Sequence, residues 1–268
     1  MHVLLLECEE SEKDLLIADL WERGAKGFIE NDLPGGRFEL QAFFAAPIDA
    51  ARLAGFRARW EKADETNWAR IIMDSWAPVS VGERFFIVPD WKDDPTPPGR
   101  LRLEVHPGLA LGTGYHATTQ MCMEAMERRL RPDDTFFDLG CGTGVLCQAA
   151  WLLGARRIVA CDTDEQAMES AAENFARARI AGLLYRGSID AFASLSVDFL
   201  VANISADGLL AMADDLRRVL KPGATAVLSG FPPFTSAAVG EGFAASGFEV
   251  LSAQSRDEWA CLVARKTA

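Results

Sequence analysis

A glycine-rich turn between two apolar segments limits the folds that this chain of 268 residues can adopt. The turn reads DLGCGTG at residues 138–144, between a predicted strand at 135–139 and a predicted helix at 145–153. Glycines at such a junction permit unusual backbone angles and let a ligand approach main-chain N–H groups closely. The turn therefore predicts a strand–turn–helix unit with a ligand cleft at its mouth.

Apolar strands and helices alternate from about residue 118 onward, which predicts a parallel sheet with helices on both faces. We therefore expect an α/β protein with a Rossmann-like sheet. Residues 1–63 show a β-α-β-β-α-β pattern that predicts a small α+β domain of the ferredoxin-like type. A helical stretch at 64–78 is expected to link this domain to a larger one at 79–268.

An acidic residue, Asp162, ends the next predicted strand 22 positions after Gly140. A carboxylate there can accept hydrogen bonds from both hydroxyls of a ribose. The third glycine of a dinucleotide-binding fingerprint would fall at Val145, and Asp138 would repel a pyrophosphate. Asp138 could instead face the ammonium group of S-adenosylmethionine. The pattern favours this cofactor over NAD, with Gly140, Gly142 and Asp162 as its ligands.

Two further segments are expected to border the same cleft. Residues 107–119, PGLALGTGYHATT, predict a flap over the cofactor, with Thr118 or Thr119 capping the next helix and Thr119 close to the cofactor. Asn203 ends a predicted strand at the carboxyl edge of the sheet, which would place its amide beside the cleft. Histidine is a common general base, but the sequence indicates no positioned partner for His116, so a general-base role is not favoured.

Composition narrows the choice of partner and compartment. The chain has 27 Lys and Arg against 39 Asp and Glu, a net charge of −12, which disfavours direct nucleic-acid recognition. The six cysteines are dispersed and only three histidines occur, so we expect neither a disulfide framework nor a metal site. The N-terminus resembles neither a signal peptide nor a membrane span. We expect a cytoplasmic protein with reduced thiols.

The quoted segments together resemble the ribosomal protein L11 methyltransferase family over residues 64–268. The resemblance is carried by these segments: NWARIIMDSW, VGERFFIVPDW, PGLALGTGYHATT, FFDLGCGTGVL, ACDTDEQAMESAAENF, VANISA and the late DEW. It implies a class I methyltransferase sheet at 79–268 as catalytic domain, and residues 1–63 as a substrate-recognition domain. By position it also implies that Thr119, Gly140, Asp162 and Asn203 contact S-adenosylmethionine.

The reaction implied by this resemblance is the attack of a neutral amine on the sulfonium methyl group. Asn203 is the expected catalytic residue, its side-chain oxygen orienting the amine. The implied acceptor is ribosomal protein L11, on lysine side chains and the N-terminal amine, and we expect a monomer. Two alternatives stay open: a methyltransferase for another protein lysine or a small molecule, and a cofactor binder without catalysis or an NAD enzyme. Ile204 and Ser205 replace the Asn-Pro-Pro-Tyr pattern of amide and base methyltransferases, which disfavours those acceptors.

Overall fold

The chain divides into two compact units, residues 1–76 and 77–268. The computed structural model describes residues 2–25, 27–62, 76–105 and 114–268. The predicted linker at 64–78 therefore lies, for most of its length, outside the described residues, as does the part of the predicted flap at 107–113. None of the helices within the described ranges is long and apolar enough to cross a membrane.

The first unit is one four-stranded sheet with a helix. Its elements are, in chain order, β1 (His2–Glu9), α1 (Glu10–Glu22), β2 (Gly27–Leu33), β3 (Arg37–Phe44), a 3-10 helix (Ala51–Phe56) and β4 (Arg59–Lys62). The strand order is β2-β3-β1-β4, and all neighbours are antiparallel. The second predicted helix is only a 3-10 turn, and the ferredoxin-like assignment stays a prediction.

Side-chain periodicity explains the core of this unit. Leu4 and Leu6 alternate along β1 and face the same side of the sheet, while Leu16 and Leu20 lie one helical turn apart on α1. All four are buried in one cluster with Leu40 of β3. The helix therefore packs against one face of the sheet.

The second unit contains ten strands and six helices of regular length within the described residues. In chain order they are β5 (Val79–Val81), β6 (Phe85–Pro89), β7 (Leu101–Val105), α2 (Ala117–Arg129), β8 (Thr135–Leu139), α3 (Val145–Leu153), β9 (Arg157–Asp162), α4 (Glu165–Ala178), β10 (Gly182–Arg186), β11 (Val197–Asn203), α5 (Ala206–Ala211), α6 (Ala213–Val219), β12 (Leu220–Phe231), α7 (Ser236–Ala245), β13 (Phe248–Arg256) and β14 (Trp259–Lys266).

Seven of these strands form the central sheet, in the order β10-β9-β8-β11-β12-β14-β13. The first five run parallel, and the hairpin of β13 and β14 joins β12 in the antiparallel direction. Strands β5, β6 and β7 make a separate small sheet. The predicted Rossmann-like α/β architecture is confirmed.

Alternating side chains divide the interior into two cores, one on each face of the central sheet. Phe136 of β8 and Phe199 of β11 stack in one core, with ring centroids 6.2 Å apart, together with residues of α2, α3 and α4. Phe137 and Leu200 point to the other core, against α5, α6 and α7. Because both faces are covered, these parallel strands read as continuous apolar runs.

An ion pair ties three strands together away from the glycine turn. Asp198 of β11 accepts hydrogen bonds from the backbone N–H of Thr135, which begins β8, at 3.0 Å, and from Lys221 Nζ of β12 at 2.8 Å. Burial by itself raises the pKa of Asp198, but the hydrogen bonds from Lys221 and Thr135 outweigh burial and the pKa is lowered. A lowered pKa means that Asp198 stabilises the fold at neutral pH and loses this contribution as the pH falls through its folded value.

We predict that Asp198→Asn lowers the free energy of unfolding at pH 7 by roughly 1–2 kcal/mol, since the side chains of the pair are partly exposed. The difference from wild type should shrink below about pH 4, where the carboxylate is increasingly protonated in both states. Urea denaturation at both pH values measures this. Glu249→Gln is the matched control, because Glu249 and its partner Arg265 are each 51% exposed. Equal losses in the two variants at pH 7 would contradict the prediction.

Candidate active site

The register of the central strands aligns three predicted site residues in one row. Leu139 of β8 pairs with Cys161 of β9 on one side and with Ala202 of β11 on the other. Each of the next residues along these strands is a predicted site residue: Gly140, Asp162 and Asn203. Neighbouring strands lie about 5 Å apart, so the row is about 10 Å across. The carboxyl edge of the sheet therefore brings the three together.

The first glycine of the turn lies against the residue that follows Asn203. Gly140 has a φ of +73°, and a Cβ there would lie 2.6 Å from the Cγ2 of Ile204. Its N–H donates a hydrogen bond to the carbonyl of Cys161 on β9 at 2.9 Å. Both the backbone angle and the close approach require glycine, which is why the sequence has it here.

Asp162 holds the loops on either side of it through its carboxylate. Its Oδ2 accepts a hydrogen bond from the N–H of Gly142, and its Oδ1 accepts one from the N–H of Asp164, both at 3.0 Å. An ionised carboxylate has about four lone-pair sites, so each oxygen can still accept another donor. The structure thus joins two predicted residues, Gly142 and Asp162, directly and leaves the carboxylate able to bind a diol.

A buried carboxylate lies directly before the glycine turn. Asp138 is 0% exposed; its Oδ2 accepts a hydrogen bond from the Cys147 thiol at 3.3 Å, and its Oδ1 has no partner among the described residues. Burial raises the pKa of Asp138 to about 7, opposed by the hydrogen bond from Cys147 and reinforced by the charge of Asp162. A buried oxygen without a donor is costly, so this atom fits a cationic or N–H-bearing ligand group.

Asn203 is held by α2, a contact that the sequence did not predict. Its Nδ2 donates to Thr118 Oγ1 at 3.1 Å, and the same hydroxyl lies 2.8 Å from His116 Nδ1. The imidazole packs edge-on against Trp259, with ring centroids 5.0 Å apart. The expectation that Thr118 or Thr119 caps this helix is wrong. The N-cap is His116, whose Nδ1 accepts from the N–H of Thr118 at 3.4 Å.

The segment after Asn203 is fixed by the end of β12. The N–H of Ile204 donates to the carbonyl of Ser229 at 2.9 Å. Gly230 has a φ of +95°, and a Cβ there would lie 2.5 Å from the carbonyl oxygen of Ile204. Ile204 is therefore enclosed between Gly140 and Gly230, and Asn203 cannot shift without moving both.

Two other residues from the sequence prediction take defined places. Thr119 is buried in the first turn of α2, next to the residue that contacts Asn203. Its contact with a cofactor stays a prediction. Ser205, one of the two residues found in place of the Asn-Pro-Pro-Tyr pattern, caps α5 by accepting a hydrogen bond from the N–H of Gly208 at 3.3 Å.

The sequence does not predict Cys147 or Trp259 as parts of this site, and it indicates no partner for His116. Their contacts arise where a helix packs on the sheet or where α2 meets the final hairpin, and no local spacing encodes them. The assembled site has groups that can bind the ribose of a nucleoside, a cationic group beside Asp138, and an amine that donates an N–H to Asn203.

Comparisons with known proteins identify the family to which the chain is similar. The family model described as ribosomal protein L11 methyltransferase (PrmA) matches residues 39–267. A ribosomal protein L11 methyltransferase from Gloeobacter violaceus is 39% identical over 258 residues, which cover 90% of this chain and 79% of the relative. One from Desulfosudis oleivorans is 36% identical over 209 residues, covering 76% and 69%.

A solved structure of a protein with the same family description is also similar to this chain. The crystal structure of a ribosomal protein L11 methylase from Lactobacillus delbrueckii subsp. bulgaricus superimposes with a TM-score of 0.66 at 28% sequence identity. The match covers 72% of this chain and all of the other. With a family model matching most of its length, this chain belongs to the ribosomal protein L11 methyltransferase family.

Proposed function

We propose that this protein transfers methyl groups from S-adenosylmethionine to amino groups of ribosomal protein L11, on lysine side chains and the N-terminal amine. The observation that carries the proposal is the row of Gly140, Asp162 and Asn203 at the carboxyl edge of the sheet. The proposed cofactor-binding turn, the carboxylate for the ribose and the amide for the amine therefore border the same cleft, in a row about 10 Å across.

The residues present fit S-adenosylmethionine. The unpartnered Oδ1 of Asp138 suits the ammonium group of its amino-acid part. The N-terminus of α3 and the N–H groups of the glycine turn suit its carboxylate. Asp162 suits its ribose hydroxyls, because each carboxylate oxygen can accept another hydrogen bond. When bound, the cofactor supplies an electrophilic methyl group on a sulfonium.

The chain's own residues act mainly on the acceptor amine. A free lysine has a pKa of about 10.4 and is mostly protonated at neutral pH. Removal from water in the cleft lowers that pKa and favours the neutral amine. The Oδ1 of Asn203 then accepts an amine N–H and directs the nitrogen lone pair. Positioning of this kind supplies much of the acceleration in a transfer that needs little acid or base catalysis.

Charge and thiol state support the choice of acceptor and compartment. A net charge of −12 favours encounter with a basic protein over an acidic one. All six cysteines lie among the described residues as buried side chains outside any disulfide, as suits the reducing cytoplasm where ribosomal proteins are made.

The first unit supplies a surface suited to holding the acceptor protein. Trp21, at the end of α1, is 52% exposed and packs edge-on against Phe28 of β2, with ring centroids 5.2 Å apart. Exposed tryptophans are enriched among the residues that dominate binding energy at protein interfaces. We propose that residues 1–63 recognise the substrate and that Trp21 contributes to this contact.

The central experiment incubates the purified protein with L11 from the same organism and S-adenosylmethionine, and follows L11 by intact-mass and peptide mass spectrometry. We predict stepwise addition of methyl groups at lysines and the N-terminal amine. Asn203→Ala should lower the rate of methylation by roughly 10–100-fold, because the acceptor amine is no longer positioned. Asn31→Ala, at an exposed residue of β2, is the control. Methylation of another protein or a small molecule, with L11 unmodified, would replace this acceptor.

Trp21→Ser should raise the KM for L11 by roughly 5–30-fold, the range for loss of a moderate interface anchor. The KM for S-adenosylmethionine should not change, since Trp21 lies in the other unit. Leu183→Ser is the matched control, because Leu183 is 54% exposed on the edge strand β10. An unchanged KM for L11 would remove Trp21 from the recognition surface.

The pKa of Asp138 predicts how cofactor binding depends on pH. Below about pH 7 Asp138 is largely protonated, and a cationic ligand must displace that proton to bind. The affinity for S-adenosylhomocysteine, measured by calorimetry, should therefore rise by roughly tenfold or more from pH 5.5 to 7. Asp138→Asn should weaken binding at pH 7 and flatten this rise. Asp133→Asn, at an exposed residue with a φ of +69°, should behave as wild type. An unchanged profile in Asp138→Asn would contradict this role.

A further inference from the structure

Three side chains form a continuous hydrogen-bonded chain that ends on the proposed amine-orienting residue: His116, Thr118 and Asn203. We infer that His116 and Thr118 are positioning residues, which fix the atom of the Asn203 amide that faces the acceptor amine. This inference rests on the proposed function, since it concerns how Asn203 performs it. It follows from the direction of each hydrogen bond.

The first hydrogen bond sets the tautomer of the imidazole. His116 is the N-cap of α2, and its Nδ1 accepts from the backbone N–H of Thr118 at 3.4 Å. A backbone N–H can only donate, so Nδ1 must carry a lone pair. In a neutral imidazole the proton then lies on Nε2. The start of a helix thereby dictates which ring nitrogen is protonated.

The second hydrogen bond sets the direction of the hydroxyl. Thr118 Oγ1 lies 2.8 Å from the same Nδ1, which has no proton to give. The hydroxyl of Thr118 must therefore donate to His116. A hydroxyl has a single proton, so towards any other neighbour Oγ1 can only accept. Thr118 is 3% exposed, which leaves little access for water to replace either partner.

The third hydrogen bond sets the orientation of the amide. The two ends of an asparagine side chain have nearly the same shape, and only hydrogen bonding distinguishes them. Because Thr118 Oγ1 can only accept here, the Nδ2 end of Asn203 faces it, at 3.1 Å. Oδ1 is left to accept from an acceptor amine. A flipped amide would present N–H donors to that amine and compete for its lone pair.

The edge-on contact between His116 and Trp259 holds the first member of the chain in place. His116 is otherwise exposed, so the indole limits rotation of the ring away from Thr118. Rotation would leave the Thr118 hydroxyl free to reverse. The hairpin of β13 and β14 thus helps to determine which end of the Asn203 amide, at the end of β11, faces the acceptor amine.

The first test reads the tautomer directly and needs no cofactor. Long-range proton–nitrogen correlation spectra of the full-length protein at pH 8 should show His116 with its proton on Nε2. The chain has three histidines, so the signal missing in His116→Asn assigns it. A proton on Nδ1 would overturn the inference whatever the enzyme's activity.

The second test separates positioning from a structural role. Thr118→Val keeps the shape but removes the hydroxyl, and should lower kcat by about tenfold with unchanged KM for S-adenosylmethionine. Thr118→Ser should restore most of the rate. Thr267→Val, which removes an exposed hydroxyl that donates to a backbone carbonyl, is the matched control and should have no effect. Full activity in Thr118→Val would overturn the inference.

The decisive comparison is a double-mutant cycle. If Thr118 acts through Asn203, Thr118→Val should cause no further loss in an Asn203→Ala background. If the fold-loss of kcat in the double variant equals the product of the two single losses, Thr118 acts independently of Asn203, and the inference is overturned. His116→Asn, whose Oδ1 can replace Nδ1 as acceptor, should retain more activity than His116→Ala. A wild-type enzyme that methylates no amine would instead refute the proposed function, and leave the tautomer measurement to judge the hydrogen-bonded chain.

Discussion

The pairing of β8 with a parallel neighbour on each side is the constraint on which the site depends. A slip of one residue in either register would turn Asp162 or Asn203 towards the opposite face of the sheet, because side chains alternate along a strand. Such a slip would also move buried residues of the slipped strand, for β11 Phe199 and Leu200, between the two cores. The burial of apolar side chains on both faces therefore fixes the positions of polar residues at the edge.

Beyond the last paired residues of the strands, close contacts with the backbone determine where the site residues lie. Ile204 lies so close to Gly140 and Gly230 that neither position has room for a Cβ without rearrangement. The carboxylate of Asp162 holds the glycine turn through the N–H of Gly142. Loops at a sheet edge are usually the more mobile part of a fold. Here, contacts with main-chain atoms hold these loops against the ends of the strands.

Local sequence signals were enough for the centre of the fold. The predicted strand at 135–139 and helix at 145–153 have the bounds found in the structure. The strand lies between Asp134 and Gly140, and the helix between Gly144 and Gly154. Gly142 and Asp162 are both predicted as cofactor ligands, whereas the hydrogen bond between them is found only in the structure. The alternation of strands and helices likewise sufficed to predict the parallel sheet.

Contacts between distant segments could not be predicted in this way. Thr118 and Asn203 are 85 positions apart, and they meet only because α2 packs beside the end of β11. The hydrogen bond from Cys147 to Asp138 depends on the rotation of α3 over β8, and a cysteine in an apolar helix looks like any other core residue. His116 was expected to be a flap residue. It is instead the N-cap of α2, two residues before Thr118, the first of the two threonines expected to cap this helix.

The difference between Asp162 and Asn203 explains why one of them needs support from other side chains. A carboxylate accepts hydrogen bonds with both oxygens, so its chemistry survives a rotation of the group by half a turn. An amide presents an acceptor on one side and donors on the other, and the same rotation reverses its effect on an amine. A site that uses an amide must therefore hold its oxygen and its nitrogen in one orientation. A chain of hydrogen bonds can do this only if it starts at a group that can solely donate or solely accept. The backbone N–H at the start of α2 is such a group.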